Sequence, residues 1–384
     1  MSHLSKSLAA LLALLIAMGI GRFSLTPQLP HLISEGQVSL TAAGLLAAAN
    51  YLGYLFGAVD ALFVRRAEQA RLRLLGGLWA CVLLTFVSVY AEGFWPHALL
   101  RFGIGVASAW VLVMVTAWSQ QIAAESGRPR LGSLVFAGPG LGILLTGLLA
   151  LGSNLQQQGS STLWLIYTGV ALAGVLLILP ALPRQQRQAS PDRAAARRPR
   201  TLYPLTLAYG LVGLGYIIPA TFLSQMAQQR FAGSWQADLF WPCFGLAAAL
   251  GVLLVSFCPR RPGQTLHWLI AALWLQACGV LACLLPGSGG LVLGVLLCGG
   301  PFLAGMQLVM QYARELAPQS PQQNAGLLTT GFALGQLLGP LLAALSSHFS
   351  GGLQPALLFA GLGLLAAGGL LLPQLSQQRA CVSA

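Results

Sequence analysis

"LAALLALLIAMGIGRFSLTPQLPHLI", residues 8–33, is a long apolar run with a permanent positive charge, Arg22, near its centre. At about 1.5 Å of helix rise per residue, such a run outlasts the roughly 30 Å hydrocarbon core of a bilayer. No neighbouring carboxylate in the sequence can neutralise Arg22. Lys6 followed by an apolar stretch resembles a secretory signal. The stretch exceeds the usual ~7–15 residues and lacks an A-x-A cleavage site, so it reads as an uncleaved first membrane helix.

The rest of the chain extends this reading. Of 384 residues, 56% are hydrophobic and 7% charged, with mean hydropathy +0.75. A soluble domain carries about 25% charged residues, so this chain cannot clothe itself in a polar surface. Twelve apolar segments recur, at 8–33, 41–64, 72–91, 97–120, 131–152, 161–180, 201–225, 237–257, 265–285, 288–312, 323–346 and 352–373. Alternating ten-residue strands of a membrane barrel are absent from the pattern. The predicted class is an all-α polytopic membrane protein with twelve transmembrane helices.

The net charge of +12 follows from topology rather than from nucleic-acid binding. Lys6, Arg65, Arg66, Arg71, Arg73, Arg128, Arg130, the run from Arg184 to Arg200, Arg260, Arg261, Arg314 and Arg379 all fall on one side of the twelve segments. The opposite loops hold Arg230 with Glu35, Glu92 and Asp238. This positive-inside asymmetry predicts that both termini are cytoplasmic. The basic residues form no aromatic-interleaved patch, so no nucleic-acid partner is expected. The cysteines lie mostly inside apolar runs with no C-x-x-C pair, which points to packing rather than a metal centre or a disulfide framework.

The longest hydrophilic stretch, "PRQQRQASPDRAAARRPR" at 183–200, divides the chain nearly in half and reads as a cytoplasmic linker. Expected domains are therefore 1–182, a six-helix bundle; 183–200, the linker; and 201–384, a second six-helix bundle. The halves echo each other. Gly19-x-Gly21 in the first segment returns as Gly213-x-Gly215 in the seventh, 194 residues on, with Tyr216 at the place of Arg22. Gly138-Pro139 in the fifth returns as Gly339-Pro340 in the eleventh, 201 residues on. Two such matches predict a parallel internal repeat and two pseudo-symmetric bundles.

Ionisable side chains inside spans are costly and mark function by default. Arg22 and Arg101 are the two. For Arg22 the choice lies between a bridge to a neighbouring helix and a charge that meets an anionic solute. Arg101 lies near one end of its segment, within reach of Glu92 or the interface. "AANYLGYLFGA", residues 48–58, adds Asn50, Tyr51 and Tyr54, with Asn50 and Tyr54 four residues apart on one helix face. Thr26, Tyr216, Gln307 and Gln336 supply hydrogen-bonding groups at midplane depth. The third, sixth, ninth and twelfth segments are nearly free of polar groups and are expected to face lipid. Glycine stripes (Gly53/Gly57; Gly331/Gly335/Gly339) allow close helix approach, and Pro139 and Pro340 bend their helices.

These residues resemble a known superfamily. "LLRFGIG" (Arg101 to Gly105) and "GPGLG" (Gly138 to Gly142) are similar to the fourth- and fifth-helix signatures of the major facilitator superfamily. Gly57, Asp60, Arg65 and Arg66 resemble part of its loop signature between the second and third helices, with altered spacing. "GIGRFSLTPQLP", "AANYLGYLFGA" and "GLGYIIPATFL" resemble the YbfB/YjiJ-type branch of bacterial inner-membrane permeases. The resemblance implies two six-helix bundles, a central cavity lined by the first, fourth, seventh and tenth helices, and location in a bacterial inner membrane. It implies conformational or structural roles for Arg101, Gly138, Pro139, Asp60, Arg65 and Arg66, and the repeat with its proline bends suggests the same for Gly339 and Pro340.

The expected function is secondary active or facilitative transport of a small anionic or polar organic solute by alternating access. The binding residues are Arg22, Thr26, Asn50, Tyr51, Tyr54, Tyr216, Gln307 and Gln336. All eight acidic residues fall in loops or at helix ends, which disfavours export of cations. No cofactor, metal or catalytic constellation is expected, and the partners are the solute and the bilayer, around a monomer. The alternative is a membrane receptor that binds a small molecule without moving it.

Overall fold

The computed structural model describes residues 2–183, 200–231, 234–258, 263–318 and 321–383. Twelve helices among them are long and apolar enough to cross a membrane, one for each predicted segment, and no strand occurs among the described residues. They are α1 (His3–Ser34), α2 (Leu40–Leu62), α3 (Ala67–Tyr90), α4 (Phe94–Ser126), α5 (Pro129–Leu155), α6 (Ser160–Ala181), α7 (Leu202–Arg230), α8 (Trp235–Phe257), α9 (Thr265–Ala282), α10 (Gly287–Leu316), α11 (Asn324–Ser350) and α12 (Gln354–Ser376). All but the ends of the expected 183–200 linker, together with Arg260, Arg261 and the Arg379 side chain, lie outside the described residues.

Short connections end the spans abruptly. Gly127, at φ 63°, closes α4 in the left-handed region that only glycine adopts cheaply. Ser39 starts α2 by accepting a hydrogen bond from the Ala42 N–H at 3.2 Å.

Inside a bilayer, helices associate through close packing and hydrogen bonds, because lipid is as apolar as leucine. Here glycines set the crossings, and they set them twice. Between α2 and α4, a Cβ added at Gly105 would strike the Asn50 carbonyl, and one at Gly53 the Phe102 carbonyl. Between α8 and α10, Gly299 faces the Phe244 carbonyl and Gly251 the Gly300 carbonyl. The α1/α5 crossing, Gly19 against Gly142, has its parallel between α7 and α11, where Gly335 lies against Gly210. Both bundles thus rely on glycine-to-backbone crossings between corresponding helices.

This register corrects one expected correspondence. Gly138 packs against Leu11 and Leu14 of α1, whereas Gly339 packs against Ile217 and Leu214 of α7. The partner of Gly142 by packing is Gly335, 193 residues on, which faces Gly210 and Leu214. Gly138-Pro139 and Gly339-Pro340 therefore sit at different depths, about two helix turns apart, and are not equivalent bends.

The halves meet along α2/α11 and α5/α8. Gly44 lies beside Ala344 and Pro340, Gly326 beside Leu62, Gly140 beside Gly245 and Ala249, and Gly147 beside Pro242. The best-packed spans are α1, α7 and α10, at 83%, 78% and 72% buried, while α3, α6 and α12 are 39%, 39% and 44% buried. The last three form the lipid-facing perimeter, as the sparse polar content of their sequences predicts. α9, at 56%, is intermediate, and its Gln276 amide turns inward to donate to the Cys298 carbonyl at 3.2 Å.

Candidate solute-binding site

The charge in α1 sits on an irregular turn. Residues Leu15–Phe23 form a π-helix, nine residues long, with Arg22 in its last turn. Widening of the helix shifts the following side chains around the axis, a device common at functional sites. It is sustained by tight packing. Gly19 abuts Gly142, and a Cβ at Gly21 would lie 3.0 Å from the Cys81 sulfur.

Arg22 is 3% exposed. One amino group, Nη2, donates to Gln336 Oε1 at 2.6 Å across the boundary between the bundles. Nε and Nη1 make no hydrogen bond. The guanidinium lies instead against aromatic faces, 4.1 Å from the Tyr54 ring centroid, 4.7 Å from Tyr51 and 5.3 Å from Phe23. Each such contact contributes about 0.5–2 kcal/mol. A buried donor left without an acceptor costs about 1–3 kcal/mol, more when it carries charge. Among the described residues no acidic side chain bonds Arg22; the ion pairs are Lys6–Glu125 and Arg73–Asp60.

Gln336 reads both halves. Its Oε1 accepts from Arg22, and its Nε2 donates to the Tyr216 hydroxyl. Tyr216 stacks on Phe302 at 4.2 Å and faces Phe332 at 5.5 Å, and Phe332 stacks in turn on Tyr209 at 4.4 Å. Two further links cross from α7 to the first half. Thr26 Oγ1 donates to the Ala220 carbonyl at 3.1 Å, and the hydroxyls of Tyr51 and Thr221 are 3.2 Å apart. Arg22, Tyr51, Tyr54, Tyr216, Gln336 and Thr26, all nominated from sequence, are thus gathered around the bundle boundary, each no more than 5% exposed.

Two other nominated residues have different company. Asn50 does not turn toward Tyr54 and Arg22; its Nδ2 donates to the Arg101 carbonyl at 2.9 Å and fastens α2 to α4. Gln307 pairs with Ser256, Nε2 to Oγ at 3.2 Å. In the first bundle Trp110 Nε1 of α4 donates to Asp60 Oδ2 of α2 at 2.8 Å, so each bundle carries a polar tie between corresponding helices.

The structural residues are also repartnered. Arg101 does not reach Glu92 or the interface. It is fully buried, donating from Nη1 to the Gly21 carbonyl and from Nη2 to Ser88 Oγ, both at 3.3 Å, with its carbon 4.8 Å from the Trp164 ring. Packing of α1, α3 and α6 over that face of α4 leaves the side chain no path outward. Asp60 is held by Arg73 rather than by Arg65 or Arg66, through Nε at 2.7 Å and Nη2 at 2.9 Å. Arg65 and Arg66 instead present backbone N–H groups to Gln69 Oε1, at 3.1 and 3.2 Å, and start α3. Phe302, Phe332, Tyr209, Thr221 and Trp241 belong to the neighbourhood but carry no sequence signal, since an aromatic in an apolar helix looks like any core residue.

Twelve membrane-crossing helices in two repeated halves, closed around polar groups at their boundary, define a membrane transporter of the major facilitator type rather than an enzyme. Known proteins agree. The model of the family described as "Uncharacterised MFS-type transporter YbfB" matches residues 14–372, and this chain belongs to that family. The uncharacterised MFS-type transporter YceJ of Bacillus subtilis (strain 168) is 27% identical over 308 residues, 77% of this chain and 73% of that protein. A chloramphenicol resistance protein of Streptomyces lividans is 26% identical over 369 residues, 92% of each. Among solved structures, the human organic anion transporter MFSD10 (TETRAN) aligns with a TM-score of 0.66 and 18% identity, covering 97% of this chain and 100% of that one.

Proposed function

We propose that this protein moves a small organic anion across a bacterial inner membrane by alternating access, with Arg22 as the charge that receives it and both termini in the cytoplasm. The single observation that carries the reading is the guanidinium itself: buried, bonded through one nitrogen to a neutral amide, and met by no carboxylate. A carboxylate on the solute makes a charge-assisted bond roughly twice as strong as the one Gln336 offers. The anion therefore displaces Gln336, and with it the tie from α1 to α11 and, through Tyr216, to α7. Loss of that tie frees one bundle to rock against the other about the bound solute. The human structural neighbour is an organic anion transporter, which agrees with the reading but lends it only a shared fold. The excess of arginines on one side supports the orientation.

The test is flux of radiolabelled organic anions in liposomes, wild type beside Arg22→Gln, with matched incorporation checked on gels. Wild-type flux that falls at least tenfold in the variant is the expected result. Equal flux in both overturns the role of Arg22, and binding without flux favours a receptor.

A further inference from the structure

Resting on that reading of Arg22, we propose that the solute is a monoanion with a planar aromatic body, gripped by Arg22 at its charged end and by the indole N–H of Trp241 at a hydrogen-bond acceptor farther along.

The charge follows from counting. One guanidinium without a second cation beside it balances one negative charge; Arg101 is committed to Gly21, Ser88 and Trp164 inside the first bundle. A dianion would carry an uncompensated charge into a dry site, at a cost of several kcal/mol.

The aromatic body follows from what lies beside the charge. Phe23, next in sequence to Arg22, is the ring that crosses the bundle boundary. Its centroid is 6.3 Å from Trp241 of α8 and 6.2 Å from Phe302 of α10, edge-on to the latter. These contacts join the first bundle to the second, so they must part when the bundles separate. What they expose is an aromatic lining on both sides: Phe23 in the first bundle, and in the second Phe302 and Trp241, backed by the stacked rings of Tyr216 and Phe244. A flat π-system entering between them replaces ring–ring contacts with like contacts. A saturated body of the same size recovers the area but not the stacking.

Trp241 supplies the second anchor. It is 1% exposed, and its Nε1 makes no hydrogen bond, as is also true of Trp164; of the two, Trp241 is the one in contact with Phe23. Buried indole N–H groups ordinarily find an acceptor. Two sets of orphaned donors, those of Arg22 and that of Trp241, flank one ring, Phe23. A solute with a carboxylate at one end and a carbonyl or hydroxyl oxygen at the other satisfies both.

The experiment is equilibrium binding to the purified protein in detergent by calorimetry, with wild type, Trp241→Phe and Arg22→Gln. The probes are benzoate, 4-acetylbenzoate, cyclohexanecarboxylate, terephthalate and benzamide. The expected order is 4-acetylbenzoate tightest, benzoate next, and cyclohexanecarboxylate, terephthalate and benzamide each weaker than benzoate by about tenfold or more, which is 1.4 kcal/mol. Trp241→Phe, which keeps an aromatic ring, should remove the advantage of 4-acetylbenzoate over benzoate. Equal, Arg22-dependent binding of benzoate and cyclohexanecarboxylate overturns the aromatic assignment while the anion reading stands. An acetyl advantage that survives in Trp241→Phe overturns the anchor. Binding of the anions that is indifferent to Arg22→Gln overturns both the proposal and the reading beneath it.

Discussion

Arg22 and Gln336 stand 314 residues apart in the chain and 2.6 Å apart in space, and their bond is a latch between the two bundles. The same amide holds Tyr216 by its nitrogen, the residue that occupies in α7 the place of Arg22 in α1. A single neutral side chain thus joins the two pseudo-equivalent positions of the repeat.

Making that latch ionic should jam it. In Gln336→Glu a carboxylate faces Arg22 permanently and satisfies a charge that otherwise lacks a counterion. Expected are a Tm several degrees higher in detergent and anion flux reduced at least tenfold. Unchanged flux with a raised Tm would detach the latch from transport.

Backbone crossings tolerate no side chain. Gly105→Ala places a Cβ against the Asn50 carbonyl and 2.7 Å from the Tyr54 N–H, atoms that cannot yield by rotamer change. Overpacking of this kind costs about 1–3 kcal/mol, so the variant should melt several degrees lower and be recovered in reduced yield. Gly76→Ala is the control. Nothing lies within 4 Å of its added Cβ, so that variant should melt no lower than wild type, and slightly higher through the better helix propensity of alanine. Both are read by fluorescence-detected size exclusion after heating.

The clamp at the arginine-rich end should discriminate among neighbouring arginines. Asp60 takes two bonds from Arg73 and one from Trp110. The Asp60 side chain is 40% exposed, and solvent screening limits such a pair to about 1 kcal/mol. Arg73→Gln should lower Tm by a few degrees, while Arg65→Gln, whose contact to Gln69 is through the backbone, should leave Tm unchanged. Thermal melts of the two side by side decide it.

Gln307→Leu separates packing from binding. Its amide exchanges hydrogen bonds with Ser256 on α8, so the change should cost stability of about 1 kcal/mol and leave solute affinity within twofold. Calorimetry with the tightest probe measures the affinity, and a tenfold loss would return Gln307 to the solute.

Residue by residue, the nominations separate by mechanism. Arg22 was legible because a charge in an apolar run has no cheap explanation, and Tyr216 because the Gly-x-Gly spacing marks it as the counterpart of Arg22. Trp241 and Phe302 were illegible. Nothing in their local sequence separates a ring at a boundary from a ring in a core. Asn50 and Gln307 were placed near the solute because depth along a helix is readable and rotation about its axis is not.

The same division runs through the whole molecule. Length and apolarity are properties of a segment alone, so the twelve spans, the two halves and the lipid-facing α3, α6 and α12 follow from the sequence by itself. The partner of each polar group was decided only in the tertiary structure: Gln336 for Arg22, Gly21 for Arg101, Arg73 for Asp60, Ser256 for Gln307. Those partners depend on crossing angle and axial rotation. Close contacts between glycines and backbones on helices remote in sequence fix both, and no one-dimensional pattern carries that information.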